Sequence, residues 1–240
     1  MNLAGSASPK SPLFDIDLMS RILRAPAEVA ADCRDDRGAA SMARNALIAI
    51  FAGSLLFGAA VGSWHGGVQT FFAGGKLPIV MLATLILSAP AFYAISAVFH
   101  RPWPLRSVVS LMLVAGARFS LVLLAATPPL WLLINLGASY DLSKLAAAFA
   151  YALAGLAALS LLIRGLGDGA GKRRMIALVI GTFLLIGAQT SWMLRPYLGA
   201  PGARGVREVA LFTHEREGGL VYQLYRSLER VIDPRAGDRP

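Results

Sequence analysis

The stretch that decides the fold is SVVSLMLVAGARFSLVLLAATPPLWLLINLG, residues 107 to 137, which carries a single charge, Arg118. Crossing about 30 Å of hydrocarbon takes about 20 such residues at 1.5 Å rise each. This run crosses a membrane with length to spare, because one straight helix of this size extends about 46 Å. Pro128 and Pro129 lack the N–H that a helix interior uses and crowd the preceding turn. A kink or break is therefore expected near Thr127, with residues 130 to 137 as an outer half-helix.

Four similar runs flank it, at about 46 to 64, 78 to 99, 144 to 165 and 175 to 194. The 240-residue chain is 56% hydrophobic and 15% charged, with a mean hydropathy of +0.58, more apolar and less charged than a soluble domain. The expected fold class is all-α: a polytopic membrane helical bundle of about five transmembrane helices, its third helix kinked, with flanking amphipathic helices. Pro90 is expected to kink the second span as well. The chain divides into a cytoplasmic segment, 1–44, a five-helix transmembrane domain, 45–198, and an extracytoplasmic C-terminal segment, 199–240. The first 44 residues are too long and polar for a cleavable signal, so the first span is expected to serve as an uncleaved insertion signal.

Orientation follows the basic residues near span ends. Arg34, Arg37 and Arg44 precede the first span, Arg101 and Arg106 lie between the second and third, and Arg164, Lys172, Arg173 and Arg174 lie between the fourth and fifth. The alternate loops carry Lys76 and Lys144. This places the N-terminus in the cytoplasm and the C-terminus outside, although Arg195, Arg204 and Arg207 on the tail run against the trend. The net charge of +9 is thereby explained by lipid and topology, and nucleic acid is not an expected partner.

Two polar segments read as amphipathic helices. FDIDLMSRILRAPAEV, 14 to 29, sets Phe14, Ile16, Leu18, Ile22, Leu23 and Val29 among charges and is interrupted before Pro26; GLVYQLYRSLERVI, 219 to 232, gathers Val221, Leu224, Tyr225, Leu228, Val231 and Ile232 on one face. Each is expected to cap its own bundle rather than dock a partner. Cys33 is the only cysteine; between Asp32 and Arg34, Asp35 and Asp36 it reads as a solvated thiol with no redox role.

Motifs of catalysis are sparse. GDGAGKRR, 167 to 174, lacks the first glycine of a phosphate loop and has Arg173 where a Ser or Thr would hold magnesium, so it reads as a basic turn. His65, His100 and His214 are isolated, the first two on opposite faces of the membrane, and no ligand set for a metal emerges. No cofactor, metal or catalytic residue is expected. The spans contain no carboxylate, and the one charge well inside is Arg118. It reads either as an anion or gating contact, or as a side chain that snorkels to the interface or caps carbonyls freed by Pro90 or Pro128.

Small residues recur every four positions as Ser54, Gly58 and Gly62 on the first span and as Ala150, Ala154 and Ala158 on the fourth, strips that permit close helix packing. At the end of the last run, AQTSWMLRPYLGAPG, 188 to 202, places Trp192, Arg195 and Tyr197 at an interface while Pro196 and Gly199 stop the helix. Gln189, Thr190 and Ser191 lie deeper and need hydrogen bonds from neighbouring helices.

Several stretches resemble the bacterial multi-pass proteins related to the Yip family, whose eukaryotic members interact with small Rab-type GTPases: LMSRILRAPAEV (18 to 29), KLPIVMLATLILSAPAFYAISAVF (76 to 99), GAQTSWMLRPYLGAP (187 to 201) and LFTHEREGGLVYQLYRSL (211 to 228). The resemblance implies a five-helix integral membrane protein without enzymatic activity, an organiser or adaptor. By that resemblance Trp192, Arg195, Pro196 and Tyr197 match a recurring W-x-L-R-P-[FY]-[IL]-G motif, and Arg216 and Glu217 match a charged pair downstream. The richness in Ala, Gly and Arg points to a GC-rich bacterial genome, so the eukaryotic partners do not carry over. The function expected is a scaffold, adaptor or accessory subunit of a bacterial envelope complex in the inner membrane, in contact with lipid and with a membrane-protein partner or a second copy. The alternative is a channel or permease subunit for anions or small solutes built on Arg118 and the proline-kinked helices.

Overall fold

A computed structural model describes residues 15–36, 38–64, 67–99, 103–167, 171–194 and 228, with the side chains of 68, 69 and 187–194 outside that description. The described chain is helical: α1 (Ile16–Arg24), α2 (Pro26–Arg34), α3 (Ala39–Gly62), α4 (Val68–Val98), α5 (Leu105–Asn135), α6 (Tyr140–Gly165) and α7 (Lys172–Leu194). Four helices, α3, α4 from Thr70, α5 and α6, are long and apolar enough to cross a membrane. The described residues thus form an all-helical membrane protein fold. The run expected as a fifth span, 175 to 194, lies on α7, which is not one of these four and whose last turns have side chains outside the description.

The long helices pack in alternating directions. Gly116 on α5 meets Ile50 on α3, and Gly53 meets Ser120 one turn further along both, so α3 and α5 run parallel. On α4, Leu85 reaches Gly116 beside Ile50, while Ala73 meets Gly58, so α4 runs the other way. Helix α6 returns along α5, with Gly165 against Leu111 and Tyr151 against Phe119, ring centroids 5.8 Å apart. The same tyrosine meets Phe57 edge-on at 5.3 Å, tying α3, α5 and α6 at one level. These approaches depend on missing side chains: a Cβ at Gly53 would overlap the Ser120 backbone and one at Gly58 the Ala73 backbone. Ser54, Gly58 and Gly62 are buried on α3, and Ala150, Ala154 and Ala158 on α6.

Local sequence sets the helix ends. Asp15 caps α1, its carboxylate accepting from the Leu18 N–H at 3.1 Å, and Ser139 caps α6 by accepting from Leu142 N–H at 3.3 Å. After α5, Gly137 takes φ +83°; its N–H donates to the Ile134 carbonyl and the Ala138 N–H to Leu133. That left-handed stop turns the chain into α6.

The helix carrying Arg118 holds both prolines without an interruption: α5 is a continuous 31 residues with Pro128 and Pro129 inside it. Residues 130 to 135 continue this helix and do not form a separate half. The Thr127 hydroxyl donates to the Leu123 carbonyl at 2.9 Å. Helix α4 likewise contains Pro78 and Pro90 and begins at Val68, well before the apolar run read from residue 78.

Candidate functional site

The first two helices are one amphipathic segment broken where Pro26 removes a donor, at Ala25. They pack back onto the bundle, α1 against α3 and α5, α2 against α5 and α6. The buried face comprises Leu18, Met19 and Ile22 on α1 and Val29, Ala30 and Cys33 on α2, spaced three and four apart, while Ile16 and Leu23 face outward.

Polar contacts fix the segment along its length. The Asp15 N–H donates to Asn45 Oδ1 at 2.9 Å, and Asn45 Nδ2 donates to the Ser41 carbonyl at 2.8 Å. This buried asparagine is satisfied at both ends of its amide. At the other end of the segment Arg106 pairs with Asp36 at 2.8 Å, and the Ser107 hydroxyl donates to the Arg34 carbonyl at 3.4 Å. Within it Arg21 pairs with Asp32 at 2.6 Å.

Arg118 belongs to this arrangement. Its Nη2 donates to the Leu23 carbonyl at 3.4 Å. The freed carbonyls it serves are those of the Ala25–Pro26 break, not those of Pro90 or Pro128. A cation there also faces the negative end of α1. Its Nε and Nη1 are shielded and lack a partner among the described residues.

Cys33 is not solvated. It is 1% exposed, and its Sγ lies 3.7 Å from Met42 Sδ. Asp32, Arg34 and Asp35 flank it in sequence but project from other sides of α2, whereas Val29 and Ala30 share its face. Burial, with the nearby Asp32 charge, pushes the thiol from 9.0 up to about 12.

Between α4, α5, α6 and α7 lies an apolar cavity of only about 10 Å³, lined by Phe92, Trp103, Met112, Leu162 and Met175 among others. A second, open groove of about 460 Å³ runs between α4 and α5 beside Pro90, Leu85, Tyr93 and Val109. Among the described residues no three His, Cys, Asp or Glu side chains gather as a metal site.

Other sequence-read positions do not join Arg118. Gly58 and Gly62 line α3, with Gly58 at the α4 contact. Gln189, Thr190 and Trp192 lie on α7 with side chains outside the description, and Arg195, Pro196, Tyr197, Arg216, Glu217 and the 219 to 232 segment apart from Leu228 fall outside the described residues. Asn45 escaped the sequence reading; a lone amide at the entry to an apolar helix is the signal that marks it.

Compared with known protein families, curated proteins and solved structures, the chain matches none.

Proposed function

We propose that the protein is a non-enzymatic scaffold or adaptor of a bacterial inner membrane, Yip-like in plan. It has five spans, a cytoplasmic N-terminus and an extracytoplasmic C-terminal segment. The observation that carries this reading is the uneven packing of the long helices. Helices α3 and α5 each bury 56% of their most apolar stretch, whereas α4 buries 22%. Phe71, Ile79, Ile86, Leu87 and Val98 of α4 face outward, and Gly75 opens onto nothing within 4 Å. A small residue amid large apolar ones on an outer face permits a partner helix to approach closely in lipid.

The docked α1–α2 segment supports the same reading. It engages Arg118 and packs against α3, α5 and α6, which fits a protein that presents a fixed surface. The basic residues Arg34, Arg44, Arg106 and Arg164 near span ends support the orientation.

The test is purification from native membranes in mild detergent, with mass spectrometry of what stays bound. A partner at stoichiometric level, lost in an Ile86→Ala, Leu87→Ala variant that keeps its helical content, is expected. A protein that emerges alone, with the same variant unchanged, would overturn the scaffold reading.

A further inference from the structure

Arg118 and Arg164 converge from opposite directions. Side chains on a helix lean toward its N-terminus. Arg118 thus leans toward the start of α5, and Arg164, in the last turn of the antiparallel α6, leans back toward Arg118. Gly165, next to Arg164, meets Leu111, which lies two turns before Arg118 on the same face of α5. Beside them the last turn of α1 contributes the Leu23 carbonyl.

Two hairpin acids nearby, Asp32 and Asp36, are committed to Arg21 and Arg106. Arg164 is exposed, and Arg118 keeps two shielded nitrogens without an acceptor. Leaving shielded donors of a cation unmatched is costly, and holding two guanidinium groups together adds repulsion. An anion with several oxygens relieves both, and the planar guanidinium fork matches phosphate geometry.

The depth of the junction identifies the source. Helix α6 is free of charge from residue 145 to 163, about 28 Å of helix, close to the hydrocarbon thickness of about 30 Å. It ends at Arg164, so that arginine stands where lipid phosphates lie. Arg118 starts deeper and reaches back to the same level.

We propose that Arg118 and Arg164 form a binding site for the phosphate of an anionic phospholipid headgroup, with the Leu23 carbonyl holding the Arg118 fork in place. The phosphate oxygens accept from the Nε and Nη1 of Arg118, on the side of the fork away from the Leu23 carbonyl, and bridge to Arg164. The inference relies on the membrane setting and not on the scaffold role; loss of a protein partner leaves it standing.

The experiment compares the purified full chain with Arg164→Gln and Arg118→Lys, titrated in mixed micelles with phosphatidylglycerol, with phosphatidylcholine, or with inorganic phosphate. Bound lipid is counted by native mass spectrometry, and thermal unfolding is followed alongside. Arg164→Gln is the secure variant, because that side chain is exposed and unpaired among the described residues. Phosphatidylglycerol is expected to bind and stabilise the wild type, phosphatidylcholine to do so weakly, and Arg164→Gln to lose at least about tenfold in affinity, the worth of one charge-assisted hydrogen bond. Arg118→Lys, which keeps the charge without the fork, is expected to fall between. Stabilisation by inorganic phosphate that Arg164→Gln abolishes assigns the same site to the free ion. Equal lipid and phosphate binding by the wild type and Arg164→Gln, or binding by neither, overturns the site.

Discussion

Arg118 on α5 donates to the carbonyl oxygen of Leu23, 3.4 Å away and 95 residues earlier in the chain. The contact joins the middle of a membrane helix to the end of a short amphipathic one. It also accounts for the surplus length of α5: 31 residues extend about 46 Å, about 16 Å beyond a hydrocarbon core. The first turns of α5, with Arg118 reaching back toward them, provide the flank on which α1 and α2 dock.

Replacing Arg118 with Ala removes a charged donor to Leu23 but also removes two unmatched nitrogens, so the global effect is small while the local one is not. The α1–α2 segment should open about fivefold more often, corresponding to about 1 kcal/mol. Trypsin cleavage at Arg21 and Arg24 reads this directly. Unchanged cleavage would mean that Arg118 does not hold the segment.

Glycines separate into two kinds by what a methyl would meet. Gly53→Ala forces α3 off the Ser120 backbone and should cost about 1–3 kcal/mol. Gly155→Ala meets nothing within 4 Å and should be neutral or stabilising by up to about 1 kcal/mol. Thermal unfolding of the two variants in one detergent measures the contrast; equal losses would contradict the packing of α3 on α5.

The Arg106–Asp36 pair is short but wet, with side chains 74% and 33% exposed. Arg106→Gln should therefore cost no more than about 1 kcal/mol and leave trypsin cleavage in α1 nearly unchanged. A loss as large as that of Gly53→Ala would show that the pair anchors the segment after all.

Because the folded thiol titrates near 12 rather than 9.0, the fold favours neutral Cys33. Its contribution is complete below the unfolded value and is lost as pH rises from there toward the folded one. Between about pH 8 and pH 10.5 the wild type should lose more stability than Cys33→Ala, with other titrations common to both. Parallel losses would place the thiol in solvent.

Some of this was legible in the sequence. Charge-free runs near the length of a bilayer crossing marked the long helices, and Pro26 marked the break in the N-terminal segment. Local signals failed where a distant partner decides. Asp32, Arg34 and Asp35 made Cys33 look wet, yet helical spacing puts it with Val29 and Ala30 on the face that meets the bundle. Nothing local to Arg118 names Leu23, 95 residues away. Pro128 and Pro129 argued for a kink or a break, and α5 remains helical through both, so the chain does not break there. The apolar run read from about residue 78 likewise begins inside its helix, which starts at Val68.

The most direct measurement uses the chain's single cysteine without any substitution: the rate of maleimide labelling at Cys33 in lipid nanodiscs, against the rate after denaturation. A segment docked as described should label at least about a hundredfold more slowly while folded, since labelling requires a reactive thiolate and an opening of α2. Labelling at the denatured rate would mean that α1 and α2 do not rest on the bundle, and the account built on Arg118 and Leu23 would fail with it.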